Sequence, residues 1–170
     1  IKKYKRYNTT IEEIKDKDNL VLNNTIYNTF RGISTTSSGN QIIGNTIHDI
    51  HGSYYSQATG EDGADFAIYA VSNSVVKENN IYNCNFKIDQ STKGGAIYVA
   101  KNSIVSDNNV RNCTGLGVNV AGSNVTISNN NFNISAYGVY IKGSHSDISI
   151  EINVIDSHNQ SAIYIEKQSR

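Results

Sequence analysis

Hydrophobic and polar positions along the chain fall into a six-residue pattern, [Ile/Val]-x-x-Asn-x-[Ile/Val/Phe]. Its copies are Val21-Asn24-Ile26, Ile42-Asn45-Ile47, Val76-Asn79-Ile81, Val105-Asn108-Val110, Ile127-Asn130-Phe132 and Ile150-Asn153-Ile155. The Asn residues lie 21, 34, 29, 22 and 23 positions apart. Recurrence at this period is the signature of one structural unit stacked on copies of itself. A second pattern keeps phase with the first: Gly32-Ile33-Ser34-Thr35, Ala67-Ile68-Tyr69-Ala70, Ala96-Ile97-Tyr98-Val99, Gly117-Val118-Asn119-Val120, Gly138-Val139-Tyr140-Ile141 and Ala162-Ile163-Tyr164-Ile165. Period-2 alternation about the third position predicts a strand with one buried face. The invariably small first position predicts a backbone bend too close to its neighbour for a larger side chain.

Two or three short strands per turn with an inward Asn at one corner resemble the right-handed parallel β-helix of the pectate-lyase-like superfold, over residues 18–166. The resemblance implies an all-β solenoid of about six turns. It also implies that the Asn side chains stack turn on turn and hydrogen-bond along the ladder, since a buried amide needs partners at both ends. Residues 1–17 differ in composition, with Lys2, Lys3, Lys5 and Arg6 nearly consecutive. They are expected to form a cap segment, with a short helix over Thr10–Ile14 suggested by a possible N-cap and acids in the first turn. The β-helix is expected to occupy residues 18–170.

Composition narrows the class. Lys+Arg and Asp+Glu number 15 each, so the basic face of a nucleic-acid binder is not expected. No apolar run approaches membrane-spanning length. The sequence begins without Met, which fits either removal of an N-terminal segment or a portion of a longer parent chain. Cys84 and Cys113 both follow their ladder Asn by five residues, and stacking at about 4.8 Å favours two buried thiols over a disulfide. His158 has the same offset from Asn153, and a buried, hydrogen-bonded imidazole is expected there.

Candidate chemistry gathers beside two insertions, residues 51–66 and 85–95, which occur at the same point of the repeat and so stack on one edge of the solenoid. Insertions in repeat proteins cluster on the binding face. The outward residues of the second pattern (Ser34, Tyr69, Tyr98, Asn119, Tyr140 and Tyr164) form a stripe. A phenol offers an apolar face and a hydrogen-bonding tip, which suits the mixed CH and OH surface of a sugar. Tyr is equally a good residue for an exposed β face. Tyr69, Tyr98, Asn119 and Tyr140 are therefore the candidate substrate-binding residues. Glu61, Asp62 and Asp65 are candidate ligands for a hard cation such as Ca²⁺. For a lyase or epimerase acting on uronic acids, Lys87, Lys93 and His51 are the candidate catalytic groups: a cation must neutralise the sugar carboxylate and a base must take the adjacent proton. A glycosidase would need two carboxylates across the groove, and Asp62 or Asp65 with Asp89 is the only nearby combination.

The sequence thus predicts a secreted or cell-surface module that binds a polysaccharide partner, with cleavage or epimerisation as its candidate activities. The rival expectation is a non-catalytic structural protein, adhesin-like or tail-spike-like. No capping element is expected after the sixth second-pattern strand, so that edge should join another subunit end to end or continue in a longer chain.

Overall fold

The computed structural model describes residues 11–14, 18–51, 65–86 and 94–166. The described residues form strands and turns only. The strands follow one another in triplets, one to each of three sheets, A, B and C. The first triplet is β1 (Ile11–Ile14), β2 (Leu20–Leu22) and β3 (Thr25–Tyr27), and the second is β4 (Ile33–Thr35), β5 (Gln41–Ile43) and β6 (Thr46–His48). Next come β7 (Phe66–Ala70), β8 (Val75–Lys77), β9 (Asn80–Tyr82), then β10 (Gly95–Val99), β11 (Ser103–Ser106) and β12 (Asn109–Cys113). The last two triplets are β13 (Leu116–Val120), β14 (Val125–Ser128), β15 (Asn131–Ile134), and β16 (Val139–Lys142), β17 (Ile148–Glu151), β18 (Val154–Ser157). A final sheet-A strand, β19 (Ile163–Glu166), closes the series. Every pairing is between equivalent strands of successive turns and is parallel, giving a seven-stranded sheet A and six-stranded sheets B and C.

The repeat pattern accounts for this architecture directly. In register, Ile42 lies under Val21 and over Val76, and Ile47 lies between Ile26 and Ile81. These columns fill the interior, where Ile42, Ile47, Val76, Ile81, Val105, Val110, Ile127 and Phe132 are all fully buried. Each buried aliphatic side chain contributes roughly 1.5–3 kcal/mol relative to exposure.

Sheets B and C meet at a two-residue corner, and the first of its residues is left-handed in every turn: Asn23 (φ 54°), Gly44 (64°), Glu78 (58°), Asp107 (56°), Asn129 (57°) and Ile152 (53°). The left-handed residue turns the chain, and the ladder Asn follows it. At all five junctions the backbone N–H of one ladder Asn donates to the Oδ1 of the next, at 2.9–3.0 Å. Its Nδ2 donates to that same oxygen at 2.9–3.0 Å. From Asn45 onward the Nδ2 also reaches a carbonyl of the preceding turn, as Asn79 does to Ile42 and Asn108 to Val76. Four of these amides, Asn45, Asn79, Asn108 and Asn130, are buried and satisfied.

The small residues that open the second pattern have the expected cause. A Cβ on Gly117 would lie 2.4 Å from the Gly138 carbonyl oxygen and 3.2 Å from the Phe132 ring. One on Gly32 would lie 2.3 Å from the Ala67 carbonyl oxygen.

Two expectations need correction. Residues Ile11–Ile14 form a strand, not part of a helix, and pair in parallel with β4 through Ile11–Ile33 and Ile14–Thr35. An open sheet edge offers a ladder of hydrogen bonds that outweighs a weak local helical signal. His158 is not buried: its side chain is 55% exposed and stands 3.7 Å from Asp156. An irregularity between Val110 and Cys113 slips the register, so that Ile134 and then Ser157 continue the Cys113 column and His158 falls one place beyond it. Cys84 and Cys113 are both free thiols and both buried, each donating to a carbonyl two residues back, those of Tyr82 and Arg111. The neighbouring Cys113 thiol, together with burial, pushes the Cys84 thiol up from its ordinary value.

Candidate functional site

Sheet A carries the candidate site on its outward face. The strand alternation puts Ser34, Tyr69, Tyr98, Asn119, Tyr140 and Tyr164 in one column, residue opposite residue. Tyr69 and Tyr98 stack face to face, their centroids 4.4 Å apart and their planes within 8°. Tyr140 and Tyr164 stack at 5.5 Å and 7°. Asn119 separates the two pairs. The parallel ladder sets this arrangement, because in-register side chains on adjacent strands stand about 4.8 Å apart, close to ring-stacking distance.

The stacking changes what the tyrosines present. Within each pair the ring faces are turned toward one another. Tyr69, Tyr98 and Asn119 are half-buried, Tyr140 is only 2% exposed, and Tyr164 is 37% exposed. Tyr140 donates its hydroxyl to the Glu166 carboxylate, and burial followed by that carboxylate pushes its phenol up. Burial, then the neighbouring Tyr69, pushes the Tyr98 phenol up to about 12. At neutral pH Tyr98 is therefore a protonated hydrogen-bonding group and not a base.

A second outward column runs beside the tyrosines. Phe66 lies opposite Gly95, and Gly95 opposite Leu116. The Phe66 ring lies 5.4 Å from the Tyr98 ring and 6.2 Å from the Tyr69 ring. A Cβ on Gly95 would lie 2.7 Å from that of Leu116. Phe66 and Leu116 are fully buried although neither belongs to the interior core cluster. Alternation alone does not reveal this apolar layer, since it depends on the bend at the small residue that follows.

Asp65, the residue before β7, is buried and accepts from Arg31 Nε at 3.0 Å. Asp65 is thus engaged by a cation of the chain itself, and among the described residues no group of three His, Cys, Asp or Glu gathers to hold a metal ion. Glu61, Asp62, Lys87, Asp89 and Lys93 lie outside the described residues. His51 is described and exposed, and its backbone N–H donates to the Thr29 carbonyl at 3.2 Å. Arg31 escaped the sequence reading. Its offset of one residue before Gly32, matching Phe66 before Ala67, was the available signal.

Residues 50–170 match the family described as the right-handed β-helix region. The chain belongs to that family. The match covers most of the turns laid out above and supplies the hand of the solenoid, which is also the hand that parallel β crossovers favour. Comparison with curated proteins and with solved structures returned no match. Among the described residues no helix is long and apolar enough to cross a membrane.

A further outward column in this β-helix lies on sheet C and was also missed. Tyr27, His48 and Tyr82 stack at 5.2 and 4.8 Å with planes within 3° and 6°, and the Arg111 guanidinium lies 4.4 Å above the Tyr82 ring. His48 Nδ1 is 2.7 Å from Asp49 Oδ2. Here a sequence of unlike residues, Tyr-His-Tyr-Arg, shares a column because all four are planar groups.

Proposed function

We propose that this β-helix is a secreted or cell-surface module that binds a polysaccharide along the outward face of sheet A. The observation that carries the reading is the stacked Tyr69–Tyr98 pair with Asn119 beside it and the Arg31–Asp65 ion pair at its flank. Hydroxyls and an amide recur at the strand spacing, next to a cation held in place by a buried carboxylate. This is a hydrogen-bonding strip with apolar ring edges, matched to a chain of sugar units rather than to one small ligand. Because the ring faces are already stacked, the strip would recognise hydroxyls edge-on.

Binding is the activity this arrangement supports best. Tyr98 is a weak base candidate because its proton is held too tightly, and Tyr140 is tied to Glu166. A panel of immobilised neutral and acidic polysaccharides tests the reading, with an absorbance assay for unsaturated uronates alongside. Retention of the parent protein, weakened by Tyr69→Ala and by Asn119→Ala but little changed by Tyr164→Ala, is the expected result. If the parent protein binds no polysaccharide of either kind, the reading is wrong.

A further inference from the structure

Cys84 and Cys113 are the only cysteines of the chain, both free, and the function proposed above uses neither. Cys113 lies in register with Ile134. The Thr114 N–H donates to the Cys84 carbonyl at 2.9 Å, as the Asn85 N–H does to the Ile50 carbonyl at 2.8 Å. One inward column therefore reads Ile50, Cys84, Cys113, Ile134. Two thiols stand side by side on successive turns, flanked on either side by a fully buried isoleucine. The cysteines themselves are 2% and 4% exposed.

The two side chains share one conformation. Cys84 Sγ donates to the Tyr82 carbonyl and Cys113 Sγ to the Arg111 carbonyl, both at 3.3 Å, and Tyr82 and Arg111 are themselves register partners. Equal bonds to equivalent acceptors relate the two sulfurs by the strand spacing, about 4.8 Å. The ladder thus holds them too far apart for the about 2.05 Å of a disulfide. The separation matches instead two metal–thiolate bonds end to end, which at zinc's bond length of about 2.3 Å span about 4.6 Å. Zinc itself closes a structural site with four ligands, and among the described residues no third His, Cys, Asp or Glu joins the pair. Thiolates select soft ions such as Cu(I), and two thiolates in line satisfy that ion.

We infer that Cys84 and Cys113 form a two-coordinate site for Cu(I), with the ion held between the two sulfurs inside the solenoid. The thiols release protons to solvent as the ion binds, so affinity rises with pH. Ile50 and Ile134 keep water, a competing ligand, away from the sulfurs. The ion enters when this part of the turn opens locally, since both sulfur-bearing residues are buried. The inference is independent of the polysaccharide reading.

Anaerobic titration of the full chain with the Cu(I)–bicinchoninate complex tests it, uptake being read from the loss of the chelate's colour. The parent should take up one Cu(I) per chain while remaining monomeric on gel filtration. X-ray absorption should show two sulfur neighbours at the copper, and the loaded chain should melt at a higher temperature than the empty one. Zn(II) should not be retained. Cys84→Ala and Cys113→Ala keep the column apolar, and each should weaken binding by more than about 100-fold, the upper end of what an outer-shell change costs. Circular dichroism checks that each variant is folded, and the corresponding serine variants replace any that is not. A parent that takes no Cu(I) from the chelate, or takes it only when denatured, overturns the inference. So does a folded single variant that binds as tightly as the parent, or a copper site with a third sulfur drawn from a second chain.

Discussion

Asn108 donates both its backbone N–H and its Nδ2 to the one Oδ1 of Asn130, at 2.9 Å each. A single side-chain oxygen thus satisfies two donors from the turn before it, and the arrangement repeats along the solenoid. Replacing Asn108 with Leu removes the acceptor that Asn79 uses and leaves buried donors unpaired. The expected loss is about 1–3 kcal/mol in a denaturant titration. Asn108→Asp keeps the acceptor and should cost less at a pH where the carboxylate is protonated than where it is charged. Unchanged stability in Asn108→Leu would show that the ladder is not a structural element.

Ile152 sits in the left-handed region at φ 53° with its side chain 81% exposed. A β-branched residue is strained there, and the equivalent positions hold Asn, Gly, Glu, Asp and Asn. Ile152→Asn should raise stability by about 1 kcal/mol, measured in a denaturant titration beside the parent. A loss of stability would show that Ile152 makes a contact worth more than its strain.

Gly117 has no room for even a methyl group, with the Gly138 carbonyl oxygen 2.4 Å from the built Cβ. Gly117→Ala should destabilise by about 1–3 kcal/mol, the usual cost of forcing extra volume into a packed site. Chemical denaturation of Gly117→Ala beside the parent decides it. A neutral substitution would mean that the sheet-A bend relaxes easily.

Tyr98 links stability to alkaline pH. Its phenol is raised from 10.0 to about 12 in the folded protein. Between these values the folded state holds the proton that the unfolded state releases, so the contribution is complete below pH 10 and is lost as pH rises toward 12. Melting temperatures across that range should fall less steeply for Tyr98→Phe than for the parent. Parallel curves would show that the phenol titrates normally.

The sequence by itself determined the solenoid, the inward faces of its strands, the Asn column and the small residue at each sheet-A bend. It could do so because a parallel β-helix is locally periodic: each turn meets only its neighbours, so position in the repeat dictates position in space. The buried state of Cys84 and Cys113 follows from the same regularity. Tertiary structure decided everything that depends on a departure from the repeat. The slip at Cys113 moved Ser157 into the column where His158 was expected. The edge of β4 drew Ile11–Ile14 into a strand against its local signal. The outward tyrosines turned their faces to one another, since in-register rings at strand spacing bury more by stacking than by facing water. Arg31 met the buried Asp65, 34 residues away, because an inserted loop changes sequence distance without changing the register of the strands that flank it.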